Sequence, residues 1–215
     1  MLKVCFLFDK KNNWINKFVN KKRFRNNTSY KFFFTSNLSK IKNFEIVFIL
    51  GYTKILSNTF LKKNRFNLVV HESNLPLGKG FAPVQWQILE NKKKINVCII
   101  NADKKVDSGG IYLKESFKVD ETALYDEIRE LQGKATYKII NNFLKKFPRF
   151  KIMKQKGKSS FYKRRTKKDS ELNINKTIKD QFNLLKICNN NKWPAFFVYK
   201  GKKFTLTINK EKKKL

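Results

Sequence analysis

Four short apolar segments in the first third of the chain limit its fold more than any other feature. None of them alternates between apolar and polar residues, as a strand with one solvated face would. Strands buried on both faces are typical of a largely parallel sheet with helices on each side. The sequence therefore predicts an α/β fold with a mostly parallel sheet. The four predicted strands are residues 2–8, 31–35, 44–50 and 67–71.

Helical patterns and two further strands continue this layout as far as Pro148. Pro83 falls in the first turn of a helix predicted within residues 79–91, a position that proline favours. A longer helix is expected to begin at Asp120 as its N-cap and to end at Phe147, because apolar residues recur at helical spacing until Pro148. The two further strands are residues 95–100 and 111–113.

The character of the chain changes after Pro148. Residues 151–168 are rich in Lys and Arg and poor in apolar side chains, which indicates a solvated connection. A helix is predicted near residues 178–187, and Gly201 marks the turn of a β-hairpin within residues 196–208. We therefore expect a catalytic domain at 1–150, a small C-terminal extension with a helix and a β-hairpin at 151–208, and a basic tail at 209–215.

The formal net charge is +33, from 49 basic and 16 acidic side chains. Such an excess ordinarily indicates a nucleic acid or another polyanion as partner. Only 7 of the basic residues are Arg, however, and Lys, Asn, Ile and Phe together supply about half of the chain. Coding sequence rich in A and T enriches these same four residues. The composition therefore favours drift over selected polyanion binding, and a nucleic acid partner is possible but not favoured.

The three cysteines, Cys5, Cys98 and Cys188, are too widely separated for a metal-ligand motif, so no metal is expected. We predict three buried thiols in a reducing compartment. No apolar run reaches the ~18 residues that a membrane span needs. These features predict a cytoplasmic protein without a membrane span.

Two polar segments follow predicted strands. His71, the only histidine, comes at the carboxyl end of a strand, where ligands of open α/β sheets bind, although a lone histidine is more often structural. Gly78 and Gly80 flank Lys79, which is placed to hold a phosphate. The second segment, Asp107-Ser108-Gly109-Gly110, is either a ligand-facing loop or an ordinary turn capped by Asp107.

Both segments resemble motifs of one family. Residues 71–89, HESNLPLGKGFAPVQWQIL, resemble the H-x-S-x-L-P-x-x-x-G-x-x-P-x-x-W core of the 10-formyltetrahydrofolate-dependent formyltransferases, and Asp107-Ser108-Gly109 resembles their D-[ST]-G loop. The separation, 107 − 71 = 36 residues, also fits that family. The resemblance implies a Rossmann-like formyltransferase fold and 10-formyltetrahydrofolate as cofactor. It implies that His71 donates to the developing oxyanion while Asp107 orients it and relays protons.

The resemblance also implies binding residues. The cofactor-binding residues would be Gly51, Tyr52, Ile55, Leu56, Asn101, Ala102 and Asp103. The substrate-binding residues would be Lys79, Gly80, Tyr162 and Arg165. One departure stands out: the family usually carries an Asn two residues before the histidine, and this chain has Val69 there.

The second half of the chain resembles the sugar N-formyltransferases. The matching segments are Phe161–Thr166, Ile178–Leu185 and Trp193–Gly201. This resemblance implies formyl transfer to a nucleotide-linked amino sugar for surface polysaccharide synthesis, by a homodimer. Two alternatives stay open. One is a methionyl-tRNA-type formyltransferase, for whose C-terminal tRNA-binding domain we expect no room, and the other is a catalytically lapsed fold that binds RNA or another polyanion.

Overall fold

A computed structural model of the chain describes residues 1–9 and 13–211. The strands in these residues are β1 (Leu2–Phe8), β2 (Tyr30–Thr35), β3 (Ile46–Leu50), β4 (Phe66–His71), β5 (Lys79–Gly80), β6 (Lys94–Asn101), β7 (Ile111–Lys118), β8 (Phe161–Tyr162), β9 (Ala195–Tyr199) and β10 (Lys202–Leu206). The α-helices are α1 (Asn58–Leu61), α2 (Pro83–Leu89), α3 (Tyr125–Lys146) and α4 (Phe182–Ile187). Short 3-10 helices cover Asn13–Lys17, Leu38–Lys40 and Lys167–Ser170.

The central sheet has six strands in the order β2-β1-β3-β4-β6-β7. The first four run parallel, while β6 and β7 are antiparallel to their neighbours. The predicted α/β fold with a mostly parallel sheet is therefore confirmed. Strand β4 lies between β3 and β6, so its carboxyl end, at His71, lies in the interior of the sheet rather than at an edge.

Helices and loops bury both faces of the sheet. On one face, Phe48 packs edge to face against Phe143 of α3, with ring centroids 5.5 Å apart. On the other face, Phe60 of α1 packs against Val47 and Ile49 of β3. All five residues of β3 are buried, which explains why its sequence is apolar without alternation.

Helix α3 begins later than expected. Asp120 does not cap it, because its carboxylate accepts bonds from the backbone N and Oγ1 of Thr122 and so closes a local turn. The helix begins at Tyr125, and Glu127 caps it by accepting from the backbone N of Leu124 at 2.8 Å. It ends at Lys146, one residue before the predicted end, with Phe147 as its C-cap and Pro148 directly after it.

Residues 151–168 form the predicted solvated connection, since most of them are exposed, but their main chain also pairs with two other segments. Met153 pairs with Ile111, the first residue of β7, and β8 pairs in parallel with β5. The backbone hydrogen bonds of this segment therefore tie it to the sheet and to the segment that follows β4. Its lysines point outward while its main chain returns to the carboxyl end of β4.

The remainder of the chain forms the predicted helix and hairpin. Strands β9 and β10 pair around Lys200 and Gly201, whose φ angles of 46° and 74° suit a two-residue turn. The three cysteines are buried and free, as predicted. Of the predicted tail at 209–215, Lys210 is paired with Glu127, and residues 212–215 lie outside the described residues. No helix of the described part is both long and apolar enough to cross a bilayer.

Candidate active site

His71 lies at the end of β4 and is buried, with 5% of its surface exposed. Its Nε2 is 2.8 Å from the carbonyl oxygen of Gly78. Because a carbonyl can only accept, Nε2 carries a proton in this contact. The other ring nitrogen, Nδ1, therefore faces the carboxylate of Asp107, with Oδ2 3.4 Å away. A proton placed between these two atoms makes the contact a charged hydrogen bond.

Asp107 takes an unusual backbone conformation, with φ at 49°. Its Oδ2 also accepts a hydrogen bond of 2.9 Å from the backbone N of Gly80, whose φ of 96° only glycine adopts readily. The glycine of the segment that follows β4 thus orients the carboxylate that faces His71. The side chains of His71 and Asp107 are 6% and 10% exposed, so each is held in place and still reaches the surface of the cleft.

Contacts from three directions hold the Asp107 loop. Nε2 of Gln155 donates to the carbonyl oxygens of Asp107, at 2.8 Å, and Gly109, at 2.9 Å. A Cβ at Gly109 would collide with the carbonyl of Asn101, so only glycine fits there. From the segment that follows β4, Nζ of the buried Lys79 donates to Oγ of Ser108 at 3.0 Å.

The segment from 151 to 168 also supports the histidine side of the site. Oγ of Ser160 accepts a 2.8 Å bond from the backbone N of Gly78, the residue whose carbonyl binds His71. The ring of Tyr162 covers Gly78 and stacks on Trp86, with centroids 6.3 Å apart. Sequence patterns do not single out Gln155 or Ser160, because both lie in a basic segment without recognisable periodicity.

A cavity of about 250 Å³ opens at this end of the sheet. His71 and Asp107 both line it. Its lining divides by the faces of the sheet into two ends: the loops after β3 and β6 pack with the face that α1 covers, and Trp14, Ile15 and α3 lie on the other face. The residues at the first end include Gly51, Tyr52, Ile55, Leu56, Asn101, Ala102 and Asp103, and those at the second include Trp14, Ile15, Glu72, Gln132 and Thr136.

The sequence-predicted residues fall into two groups. All seven positions expected to bind the cofactor line the cavity, as does Gly80. Lys79, Tyr162 and Arg165 do not line it. The ammonium of Lys79 bonds to Ser108, the hydroxyl of Tyr162 donates to Glu90, and Arg165 donates to the carbonyl of Asp169. Their roles in substrate binding stay predictions.

Arg164, the neighbour of Arg165, is placed differently. It is exposed, its Nη2 donates to the carbonyl oxygen of Thr53 at 3.0 Å, and its guanidinium lies 4.3 Å from the ring centroid of Phe81. Thr53 and Phe81 both line the cavity, so Arg164 sets a positive charge at its rim.

Val69, which stands where the family usually has Asn, forms part of the cavity wall. Val69 lines the cavity on the same face of β4 as His71. Asn67 shares this face but donates to the carbonyl oxygen of Leu61 at 2.8 Å and is buried there. Four residues of strand separate it from His71 by about 13 Å, too far for a direct contact. Asn67 therefore does not replace an amide at position 69.

The sequence of the chain is similar to that of known formyltransferases. Residues 6–142, more than half of the chain, match the family model described as formyl transferase. The chain is 28% identical over 170 residues to the methionyl-tRNA formyltransferase of Rickettsia massiliae, covering 77% of this chain and 55% of that protein. For the same enzyme of Orientia tsutsugamushi the identity is 27% over 141 residues, covering 64% and 45%. The chain thus spans about half the length of the curated relatives it matches.

Solved structures share its fold. A methionyl-tRNA formyltransferase from Clostridium thermocellum superposes with a TM-score of 0.82 at 21% identity, over all of this chain and 96% of that one. A sugar N-formyltransferase from Shewanella gives 0.73 at 17% identity, over the whole of both chains. HypX from Aquifex aeolicus in complex with tetrahydrofolic acid gives 0.70 at 14%, over 96% of this chain and 37% of that one.

Proposed function

Because the chain belongs to the formyl transferase family, we propose that it transfers a formyl group from 10-formyltetrahydrofolate to a primary amine. The observation that carries this proposal is the pairing of His71 with Asp107 on the wall of the cavity. Formyl transfer needs a donor for the developing oxyanion and a group that moves the amine proton. An imidazole and a carboxylate in contact supply both.

The end of the cavity beside the β3 loop suits the cofactor. Apolar side chains of Leu56 and Ala102 line this end, so a flat heterocycle would find a packing surface there. The folate supplies an activated formyl carbon there. In this structure the Nε2–H of His71 donates to the Gly78 carbonyl, so donation to the oxyanion requires the imidazole to exchange that partner for the formyl oxygen. Asp107 holds or releases the proton on the other ring nitrogen.

As acceptor we propose the α-amine of an aminoacyl-tRNA of the methionyl-tRNA type. The supporting observation is that curated relatives named methionyl-tRNA formyltransferase match 77% and 78% of the chain, more than the catalytic core alone. Arg164 at the rim, and the basic segment that leads to it, suit the phosphates of such an acceptor.

A nucleotide-linked amino sugar is the second candidate acceptor. The resemblance of the second half of the chain implies it, and the hairpin β9–β10 within that resemblance forms as expected. The sequence relatives favour the tRNA acceptor over it. Assembly as a homodimer and a cytoplasmic location stay predictions.

The test has two stages. Titration calorimetry with 5-formyltetrahydrofolate, a stable mimic of the cofactor, should show saturable binding near one per chain for the wild type and for Asp107→Asn. Transfer from 10-formyltetrahydrofolate is then measured with methionyl-tRNA and with a panel of nucleotide-linked amino sugars. We expect transfer to methionyl-tRNA by the wild type and a loss of about 10²-fold or more in Asp107→Asn.

Each contrary outcome has a distinct meaning. Transfer only to an amino sugar would replace the acceptor and keep the reaction. Folded protein that binds no folate, yet binds RNA in a strongly salt-dependent manner, would overturn the enzymatic proposal in favour of a lapsed fold.

A further inference from the structure

We propose that Glu72 binds the acceptor amine as its ammonium and takes one of its protons. This inference rests on the proposed formyl transfer and adds the residue that receives the amine. Neither sequence patterns nor the family resemblance single out Glu72, which follows His71 directly.

The position of Glu72 separates it from the end of the cavity that suits the cofactor. It lines the opposite end, with Gln132 and Thr136 of α3 and with Trp14. Glu72 follows His71 directly at the carboxyl end of β4 and reaches α3 through its bond from Gln132. An acceptor entering over α3 would therefore meet the Glu72 carboxyl before its nitrogen reaches the formyl carbon.

A chain of hydrogen bonds fixes this carboxyl. Its Oε1 accepts from Nε2 of Gln132 at 2.6 Å, and Oε1 of Gln132 accepts from Nη1 of Arg129 at 2.7 Å. With the Gln85 amide turned so that its oxygen faces Arg129, that oxygen accepts from Nη2 at 2.6 Å. The guanidinium of Arg129 also lies 4.9 Å from the ring centroid of Trp14. Arg129 acts through Gln132 and does not line the cavity, so it is a positioning residue.

The electrostatic setting suits a proton acceptor. Burial raises the pKa of Glu72 above its ordinary value, while the bond from Gln132 and the charges of His71 and Arg129 oppose this rise. The titratable or charged groups that act on the carboxyl in the described part of the chain are His71 from β4, Arg129 from α3 and the buried thiol of Cys98 from β6. A carboxylate with raised proton affinity that opens into a cavity is matched by a cation, and the acceptor of this reaction brings one.

Protons and electron pairs balance in the proposed step. Glu72 takes one proton from the ammonium, and the electron pair of that N–H bond stays on the nitrogen. The neutral amine forms a bond to the formyl carbon, and the bond from that carbon to the folate nitrogen breaks. His71 and Asp107 pass a second amine proton to the departing nitrogen, and Glu72 returns its proton to water.

The variant Glu72→Gln removes the charge and keeps an oxygen that can accept from Gln132. We expect its KM for methionyl-tRNA to rise at least about tenfold, because a charged hydrogen bond is removed. Its affinity for 5-formyltetrahydrofolate should not change. The wild-type kcat/KM should fall as acidification protonates Glu72, and Glu72→Gln should lose this part of the acidic limb and keep only the part set by the acceptor amine, His71 and Asp107. Glu130→Gln, which removes an exposed carboxylate from α3, is the matched control and should behave as wild type.

A binding readout makes the result independent of turnover. With 5-formyltetrahydrofolate bound, the wild type is titrated by NMR with methioninamide, which carries an ammonium, and with 4-(methylthio)butanamide, which lacks it. We expect the wild type to prefer the ammonium compound and Glu72→Gln to lose this preference. Glu72→Asp, which keeps the charge, should recover part of it even if Glu72→Gln folds poorly.

The two proposals fail in different ways. A wild type that binds no 5-formyltetrahydrofolate would overturn the proposed function. The inference about Glu72 is overturned by a different result, in which the wild type binds the folate and transfers formyl. The Glu72→Gln variant would then keep the wild-type KM, the wild-type acidic limb and the preference for methioninamide, and Glu72 would only hold Gln132 in place.

Discussion

Val69 is the side chain of the cavity that departs from the pattern the chain otherwise resembles. It lines the cavity on the face of His71, about 7 Å along β4, where an amide would point at the same space. We predict that Val69→Asn raises kcat for formyl transfer at least tenfold, since one oxyanion donor is worth about 10²–10³ in rate. Steady-state transfer with 10-formyltetrahydrofolate measures this.

Val69→Thr is the matched control, because it keeps the size of the side chain and adds a hydroxyl that is too short to replace the amide. If Val69→Asn folds and binds 5-formyltetrahydrofolate but is no faster than wild type, another group of this chain already fills the role.

Gln155 provides a second test with a single residue. Its amide holds the carbonyls of Asp107 and Gly109, so Gln155→Met should let the loop shift and lower kcat about 10- to 100-fold. The free energy of unfolding should fall by about 1–3 kcal/mol, because two acceptors lose their donor. The neighbouring exposed Lys156→Met is the control. Equal kcat in both variants would show that the loop keeps its geometry without Gln155.

The short helix at Lys167–Ser170 is held by Asp169, whose Oδ2 accepts from the backbone N of Thr166 at 2.7 Å. The bond from Lys163 lowers the pKa of Asp169 to about 2. Asp169→Asn should cost about 1 kcal/mol at pH 7, as for other helix caps that are removed. A lowered pKa stabilises the fold above the ordinary value of 3.8, and this contribution is lost as the pH falls toward 2.

Urea unfolding at several pH values measures this difference, which should shrink between pH 4 and pH 2. Glu171→Gln removes an equal charge two residues away, at an exposed position, and should cost much less. The same loss of stability in both variants would mean that net charge, rather than the cap, sets the effect.

Strands β1, β3, β4 and β6 were predictable because burial on both faces leaves apolar runs with few alternatives. Only the first three residues of β7 were predicted, because its later residues alternate between half-buried and exposed. The beginning of α3 was not, since Asp120 has the side chain of a cap but bonds to Thr122, and Glu127 caps the helix from within. The path of residues 151–168 was also hidden. The contacts that tie it down are main-chain bonds and Gln155, and main-chain bonds leave no pattern in the side chains.

The candidate site was predictable where two short motifs carry it. His71 and Asp107, far apart in sequence, come together as the motifs suggest, and their roles stay predictions. Glu72 and Gln132 were missed because neither the helical spacing of α3 nor the motif after β4 shows which side chains turn into a cavity. Lys79 and Arg165 bond to other residues of the chain here, and their roles in substrate binding stay predictions, because a positive charge near a motif does not indicate whether it faces the ligand or the protein.

The excess of positive charge is spread over the whole molecule, but one segment can show whether this excess serves to bind a ligand. The main chain of residues 151–168 returns to the active site, where Gln155 bonds to the Asp107 loop, so the exposed lysines on either side of Gln155 lie near that loop. A charge surplus produced by drift would act equally from every face. Replacing lysines in equal numbers on two faces separates these cases, because a lysine bound to a phosphate contributes to the salt dependence and a distant charge contributes little.

We predict that a triple lysine-to-glutamine variant beside the site weakens methionyl-tRNA binding more than an equal change at the β2 edge of the sheet. The KM should rise several-fold, and the slope of log K against log salt should become shallower by roughly 0.7–0.9 for each phosphate that is no longer neutralised. Formyl transfer measured from 50 to 200 mM KCl gives both quantities. Equal effects of the two variants would indicate that the excess of lysine results from compositional drift. The residues replaced are Lys154, Lys156 and Lys158 beside the site, and Lys21, Lys22 and Lys40 at the β2 edge, all exposed.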